Sequence, residues 1–111
     1  MAVGSAKQVP NGQDTFGGLL FGAVDYSGPS SYVGGATGGD LIDPHIFGFP
    51  NVITDHEGSV DQSGVYIAVA QPASNGTTTW HLRWFTLVGM TEVTDTTALN
   101  LKTVRLSAIG Y

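Results

Sequence analysis

The sequence predicts a single all-β domain, a small β-sandwich or barrel of jelly-roll type with at most one short helical turn near Pro44. Three observations predict this class. Apolar and polar residues alternate with a period of two in several segments, turns rich in glycine and proline separate these segments, and no long stretch has helical spacing. The length of 111 residues corresponds to one domain.

The N-terminal residues 1–15 are predicted to be a flexible or partner-ordered arm in front of a β domain of residues 16–111. The arm is polar and contains Pro10 and an Asn11-Gly12 turn signal. Two interpretations stay open: a loose terminus, which is common in small domains, and an extended arm that becomes ordered on a partner.

The first strand is predicted over residues 16–24, where Leu19 and Phe21 share one face. Both faces are mostly apolar, which favours an interior strand. A loop over residues 26–43 follows, with many glycines that permit tight turns.

A single helical turn is predicted directly after this loop. Asp43 is a typical N-cap residue, and Pro44 suits the first helical position because it lacks an N–H group. Short strands are predicted over residues 51–54 and 91–94.

The middle of the chain predicts a β-hairpin of residues 64–71 and 77–88, joined through the turn signal Asn75-Gly76. A last half-buried strand is predicted over residues 102–111. The predicted core residues are the apolar members of these strands: Leu19, Phe21, Val65, Ile67, Val69, Trp80, Leu82, Trp84, Val104 and Leu106.

Charged residues make up 12% of the chain, about half of the ~25% that is usual for soluble domains. A surface with so little charge predicts that a partner covers part of it, although a compact all-β monomer stays possible. The absence of cysteine excludes disulfides, thiolate catalysis and zinc–thiolate sites, and it suits a reducing cytoplasm.

The net charge of −5 and the scattered basic residues argue against two classes of partner. Nucleic-acid binding needs clustered basic side chains, and binding to an anionic membrane surface needs the same. Neither a signal-peptide pattern nor an apolar stretch of ~20 residues occurs. We therefore predict no nucleic-acid or membrane partner, and synthesis in the cytoplasm.

The glycine-rich segment 34–40 lacks the spacing, the lysine and the following helix that a phosphate loop requires, so no nucleotide cofactor is predicted. Two groups of residues have metal-ligand chemistry, but aspartates in such loops usually cap turns. No metal is predicted. The two groups are Asp40, Asp43 and His45, and Asp55, His56 and Glu57.

An enzyme is not predicted. His45, His56 and His81 have the chemistry of general bases, but a catalytic triad is defined by geometry, and the serine motif G-x-S-x-G does not occur. A domain of this size also leaves little room for a deep pocket.

Sugar binding is an alternative function. Trp80 and Trp84 lie on one face of a predicted strand, about 13 Å apart at ~3.3 Å per residue. If exposed, they would form a platform for sugar rings. Two tryptophans on one strand face with Leu82 between them are more often core residues.

Several segments resemble small virion proteins of tailed phages: residues 26–32 (YSGPSSY), Gly34-Gly35 and residues 40–43 (DLID), with residues 97–101 (TALNL) and 103–111 (TVRLSAIGY) resembling their C-terminal strand. The proteins that these segments resemble are capsid decoration proteins, also called cement or head-stabilising proteins, and related minor structural proteins. The resemblance covers residues 16–111 through short, non-catalytic motifs.

The resemblance implies a compact β domain, often a homotrimer, that binds the outer surface of an icosahedral head after assembly in the host cytoplasm. Its partner would be the major capsid protein. The alternative is a carbohydrate- or receptor-binding module of a head fibre or tail. Arg83 and Arg105 are either interface ion-pair residues or ordinary exposed strand residues. The candidate capsid or subunit contacts are Val3, Lys7, Val9, Pro10, Tyr26, Pro29, Tyr32, Asp40, Arg83 and Arg105.

Overall fold

Two antiparallel β-sheets enclose one hydrophobic core in the computed structural model of this chain. The structure describes residues 4–16, 18–35, 38–74 and 78–111, and for residues 8–16 it describes the backbone alone. The predicted all-β class is confirmed, and the regular elements of the described residues are seven strands and one short 3-10 helix.

The first sheet has four strands in the order β1, β2, β7 and β4. Strands β2 and β7 pair without a break from Leu20 opposite Gly110 to Ser27 opposite Thr103, which makes them the centre of this sheet. The bounds are β1, Ser5–Phe16; β2, Leu19–Ser27; β4, Ile53–Glu57; and β7, Thr103–Gly110.

The second sheet has three strands in the order β3, β6 and β5. Their bounds are β3, Asp40–Ile42; β5, Tyr66–Pro72; and β6, Trp80–Thr86. The predicted hairpin is confirmed as the antiparallel pair β5–β6. Its turn signal, Asn75-Gly76, lies outside the described residues.

The core forms where the inward faces of the two sheets meet. Period-two alternation places every second side chain of β6 and β7 inside. The predicted core residues Trp80, Leu82, Trp84, Val104 and Leu106 are all buried.

Other predicted core residues lie elsewhere. Val65 and Val69 are exposed, so this prediction is wrong: Val65 directly precedes β5, and Val69 lies on the outer face of β5, which is turned to solvent. Ile67 is half-buried. In an edge strand with one covered face, β-branched residues on the open face cannot be distinguished from core residues by composition.

The inward face of β2 is the opposite of the predicted one. Gly22 and Val24 are buried, whereas Leu19 and Phe21 are half-buried on the other face. A side chain at position 22 would come within 2.8 Å of the Phe47 carbonyl oxygen, so the glycine lets the 3-10 helix pack directly against the strand.

The segment predicted as an arm contains β1, which pairs antiparallel with β2 from Ser5 opposite Ser27 to Phe16 opposite Leu19. The predicted boundary at residues 15 and 16 is therefore wrong, since the sheet includes this segment. An irregularity between Gln8 and Gln13 interrupts the register. The sequence does not indicate strand β1, because its residues are mostly polar and lack the alternation of apolar and polar residues that predicts a strand.

The helical turn is confirmed as a 3-10 helix, Pro44–Phe47. The Asp43 carboxylate accepts a hydrogen bond from the His45 N–H group at 2.8 Å, which caps the helix. Gly48 ends it in the left-handed conformation at φ 83°. This turn connects β3 in one sheet to β4 in the other.

The two short predicted strands have different outcomes. Strand β4 begins two residues after the predicted start and extends to Glu57. The predicted strand at residues 91–94 is reduced to a single bridge between Phe85 and Glu92.

Candidate interaction surfaces

Four of the ten predicted contact residues are not available to a partner. Tyr26, Pro29, Tyr32 and Asp40 are buried inside the chain, so their prediction as surface contacts is wrong. Val3 lies outside the described residues, as do the side chains of Val9 and Pro10, while Lys7 is exposed.

Tyr26 and Asp40 join three parts of the chain through one buried network. The Tyr26 hydroxyl accepts a hydrogen bond from the Gly4 N–H group at 2.7 Å and donates one to Asp40 Oδ2 at 2.7 Å. Burial raises the pKa of Asp40 to about 6, although the hydrogen bond from Tyr26 and the nearby Trp84 indole act in the opposite direction. Burial likewise raises the pKa of Tyr26.

Glu92 is the centre of a second network, which fixes the loop before β3. It pairs with Arg83 through two bonds of 2.8 and 3.2 Å, accepts a bond from the Tyr32 hydroxyl at 2.8 Å, and accepts bonds from the Gly35 N–H group. The bond from Arg83 is the main reason that the pKa of Glu92 is lowered. No local sequence pattern predicts this network, because Tyr32 and Glu92 are 60 positions apart.

The two candidate ion-pair residues already have partners within the chain. Arg83 is mostly buried and also donates to the Gln71 side-chain oxygen at 3.0 Å. Arg105 is exposed and makes two hydrogen bonds, of 2.7 and 3.0 Å, to Asp25, which lower the pKa of that carboxyl. A role for Arg105 at an interface stays a prediction.

In each of the two candidate metal groups, one residue is buried and the other two are exposed. His56 is buried between the rings of Phe47 and Trp80, and burial lowers its pKa. Asp55 and Glu57 beside it are exposed. Among the described residues, no group of three or more such side chains has metal-binding geometry.

The tryptophan platform is not present. Trp84 is fully buried and Trp80 nearly so, with the Trp80 indole N–H donating to the Ile53 carbonyl at 3.1 Å. Both tryptophans belong to the core, so the hypothesis that sugar rings stack on their faces is wrong.

Among the described residues, five of the nine exposed large apolar side chains lie at one end of the sandwich, which we call the apolar tip: Val65, Leu87, Val88, Met90 and Leu101. Val88 is 91% exposed and Leu101 is 88% exposed. The Leu87 N–H group donates to the Val65 carbonyl at 2.9 Å, which joins the start of β5 to the turn after β6.

Leu101 comes to the same end from a different part of the chain. Its neighbour Lys102 places its ammonium group 5.8 Å from the centre of the Tyr66 ring, and Tyr66 pairs with Thr86 at the end of β6. The predicted strand over residues 77–88 extends too far at its end, because β6 ends at Thr86 and a turn follows. The glycine at position 89 is the sequence feature that indicates this turn, since it adopts a left-handed conformation with φ 84°.

An open groove of about 520 Å³ lies at the opposite end of β6. Leu41, Pro44 and Val52 contribute an apolar wall. Asp43, His45, Asn51 and Thr78 contribute polar groups.

Comparison with known proteins gives no relative: no family model, no curated protein and no solved structure matches this chain. Within the described ranges, none of the helices has the length and apolar character needed to cross a membrane.

Proposed function

We propose that this chain is a structural virion protein, a capsid decoration protein that binds the outside of a phage head and links major capsid subunits. The observation that carries the proposal is the apolar tip. The resemblance of residues 26–43 and 97–111 to small phage virion proteins indicates which partner the tip contacts.

The tip has the composition of a protein contact. Its five side chains are apolar, and the two most exposed, Val88 and Leu101, project almost completely into solvent. Burying one such side chain contributes about 1.5–3 kcal/mol. Part of this gain offsets the loss of translational and rotational freedom on association, so one tip gives a modest net affinity.

Modest affinity per copy is sufficient for a capsid protein. A shell carries many equivalent sites, and each copy that binds assembled subunits but not dissociated ones stabilises the assembly. The sandwich provides a firm base for this contact, because the networks around Asp40 and Glu92 connect its two sheets and the loop before β3.

The proposal is tested with capsids that lack the protein. We expect the purified protein to co-sediment with them and to raise their temperature of disruption. Val88→Asp combined with Leu101→Asp will abolish both effects, because each change places a charge in the contact. Both side chains are exposed in the free protein, so the fold will be retained.

Thr54→Asp is the control, since it adds the same charge at an exposed position of β4, whose partner residues lie at the far end of β7. It will bind as the unchanged protein does. No co-sedimentation and no thermal effect of the unchanged protein would refute the capsid function. Undiminished binding by the doubly substituted protein would refute the role of the tip.

The homotrimer that the resemblance implies is tested separately by the mass of the free protein in solution. We expect a mass close to three times 11.6 kDa. A monomer at all concentrations would exclude self-association as a property of the free chain.

A further inference from the structure

The groove at the start of β6 has the size of a ligand site and a wall of mixed character. Its volume of about 520 Å³ lies within the usual range for small-molecule sites, ~300–1,000 Å³. Leu41 and Val52 approach from different sheets, through β3 and the segment before β4, so the groove lies where the sandwich is open.

The polar groups are held in place by the helix cap. Asp43 Oδ1 accepts a hydrogen bond from the main-chain N–H group of His45 at 2.8 Å. The same oxygen lies 2.9 Å from the ring nitrogen Nδ1 of His45. This leaves Asp43 Oδ2 and His45 Nε2 without a hydrogen bond among the described residues. Both side chains are more than half exposed and line the groove.

Asn51 and Thr78 add further hydrogen-bonding groups to the same groove. An asparagine amide both donates and accepts, and so does a threonine hydroxyl. The groove therefore offers the acceptor oxygen of Asp43 together with groups of both kinds. This mixture matches alcohol groups, each of which also donates and accepts, whereas an ammonium ion only donates.

Charge restricts the ligand further. No lysine or arginine is among the described residues that line the groove, while Asp43 is. A phosphate, sulfate or carboxylate ligand would be repelled and would find no cationic partner. The apolar wall of Leu41, Pro44 and Val52 suits the C–H face of a sugar ring.

We propose that this groove binds a neutral saccharide, with Asp43, His45 and Asn51 contacting its hydroxyl groups. The site is different from the tryptophan pair, which is buried. It is also independent of the proposed capsid contact, because the seven residues of β6 separate the groove from the apolar tip by about 20 Å. A protein bound through its tip leaves the groove open.

The test is a titration of the free isotope-labelled protein followed by two-dimensional NMR. The probes are the methyl glycosides of glucose, galactose, mannose and N-acetylglucosamine, together with maltose. At least one will shift the amide signals of Asp43, His45 and Asn51, with a dissociation constant on the order of 1 mM because an open groove leaves part of the sugar in water. N-acetylneuraminic acid, which is anionic, and a neutral tetrapeptide will shift them less.

Asn51→Ala and His45→Ala will each weaken binding by about tenfold through the loss of a hydrogen bond. Asn100→Ala is the matched control, an exposed asparagine in the turn beside the apolar tip, and will bind normally. The proposal is overturned if no neutral saccharide shifts the groove signals. It is also overturned if the acid or the peptide binds better, or if the groove variants bind unchanged. The free protein is used throughout, so these results do not depend on the capsid experiment.

Discussion

Glu92→Ala will lower the free energy of unfolding by about 3 kcal/mol, the cost of removing one partner from a mostly buried ion pair. The side chains of Arg83 and Glu92 are only 19% and 21% exposed. The change leaves the guanidinium without its carboxylate and the Tyr32 hydroxyl without its acceptor. Urea unfolding followed by tryptophan fluorescence measures the difference, since Trp84 lies directly beside this network.

The size of the effect follows from the position of Tyr32. Its hydroxyl accepts a hydrogen bond from the main-chain N–H group of Trp84 at 3.0 Å and donates to Glu92, so the central strand β6 and the loop before β3 are connected through one buried ring. Without Glu92 the hydroxyl loses its acceptor inside the protein, where an unsatisfied polar group is costly.

Asp95→Ala is the matched control for Glu92→Ala. Asp95 is also an acidic residue that holds the same loop, but through a single exposed bond to the Gly34 N–H group at 2.9 Å. We expect a loss of about 1 kcal/mol or less for this change. Equal losses for the two variants would contradict the central role of the Glu92 network.

Acid will remove the contribution of Glu92. The pKa of Glu92 is lowered in the folded protein, so its ionised form stabilises the fold above the ordinary glutamate pKa. This stabilisation is lost as the pH falls through the lowered pKa. Glu92→Gln will therefore reduce stability at neutral pH and have a smaller effect in acid.

The strands could be predicted because their signal is local. Trp80, Leu82 and Trp84 alternate within one short segment, and two-residue alternation is sufficient to assign both the strand and its buried face. Alternation does not identify the buried face of β2, because both of its faces are apolar. The contact between Gly22 and Phe47 determines which face is inside. That contact joins residues far apart in the chain.

The polar networks could not be predicted because each depends on residues distant in sequence. Tyr32 and Glu92 are separated by 60 positions, and Tyr26 and Asp40 by 14. In the sequence these four residues have the composition of a surface loop, since tyrosine and carboxylates among glycines are usually exposed. Their burial is possible only because the fold supplies a partner to each.

Between about pH 4 and pH 7, ionisation of Asp40 will lower the free energy of unfolding by about 3 kcal/mol. The pKa of Asp40 is raised to about 6 in the folded protein, mainly by burial. An unfolded aspartate has a pKa of about 4. Between these values the folded state binds the proton more tightly, so stability falls as the pH rises through this window and is constant above it. Each pKa unit corresponds to about 1.4 kcal/mol.

Other groups also titrate in this range, so the measurement compares two proteins. Burial lowers the pKa of His56, which makes stability rise with pH near the ordinary histidine value and opposes the effect of Asp40. Asp40→Asn removes only the Asp40 contribution. The stability difference between the variant and the unchanged protein will therefore shift in favour of the variant by about 3 kcal/mol from pH 4 to pH 7.

Tyr26→Phe identifies the origin of this dependence. The Tyr26 hydroxyl bond lowers the pKa of Asp40, so its removal will move the fall in stability to higher pH. The variant also leaves the Gly4 N–H group without its acceptor, which reduces stability at every pH. A pH-independent difference for Asp40→Asn would contradict burial as the cause. An unchanged window in Tyr26→Phe would show that the hydroxyl does not stabilise the carboxylate. Since Asp40 begins β3 and Tyr26 lies in β2, this pair sets how strongly the two sheets hold together as the pH changes.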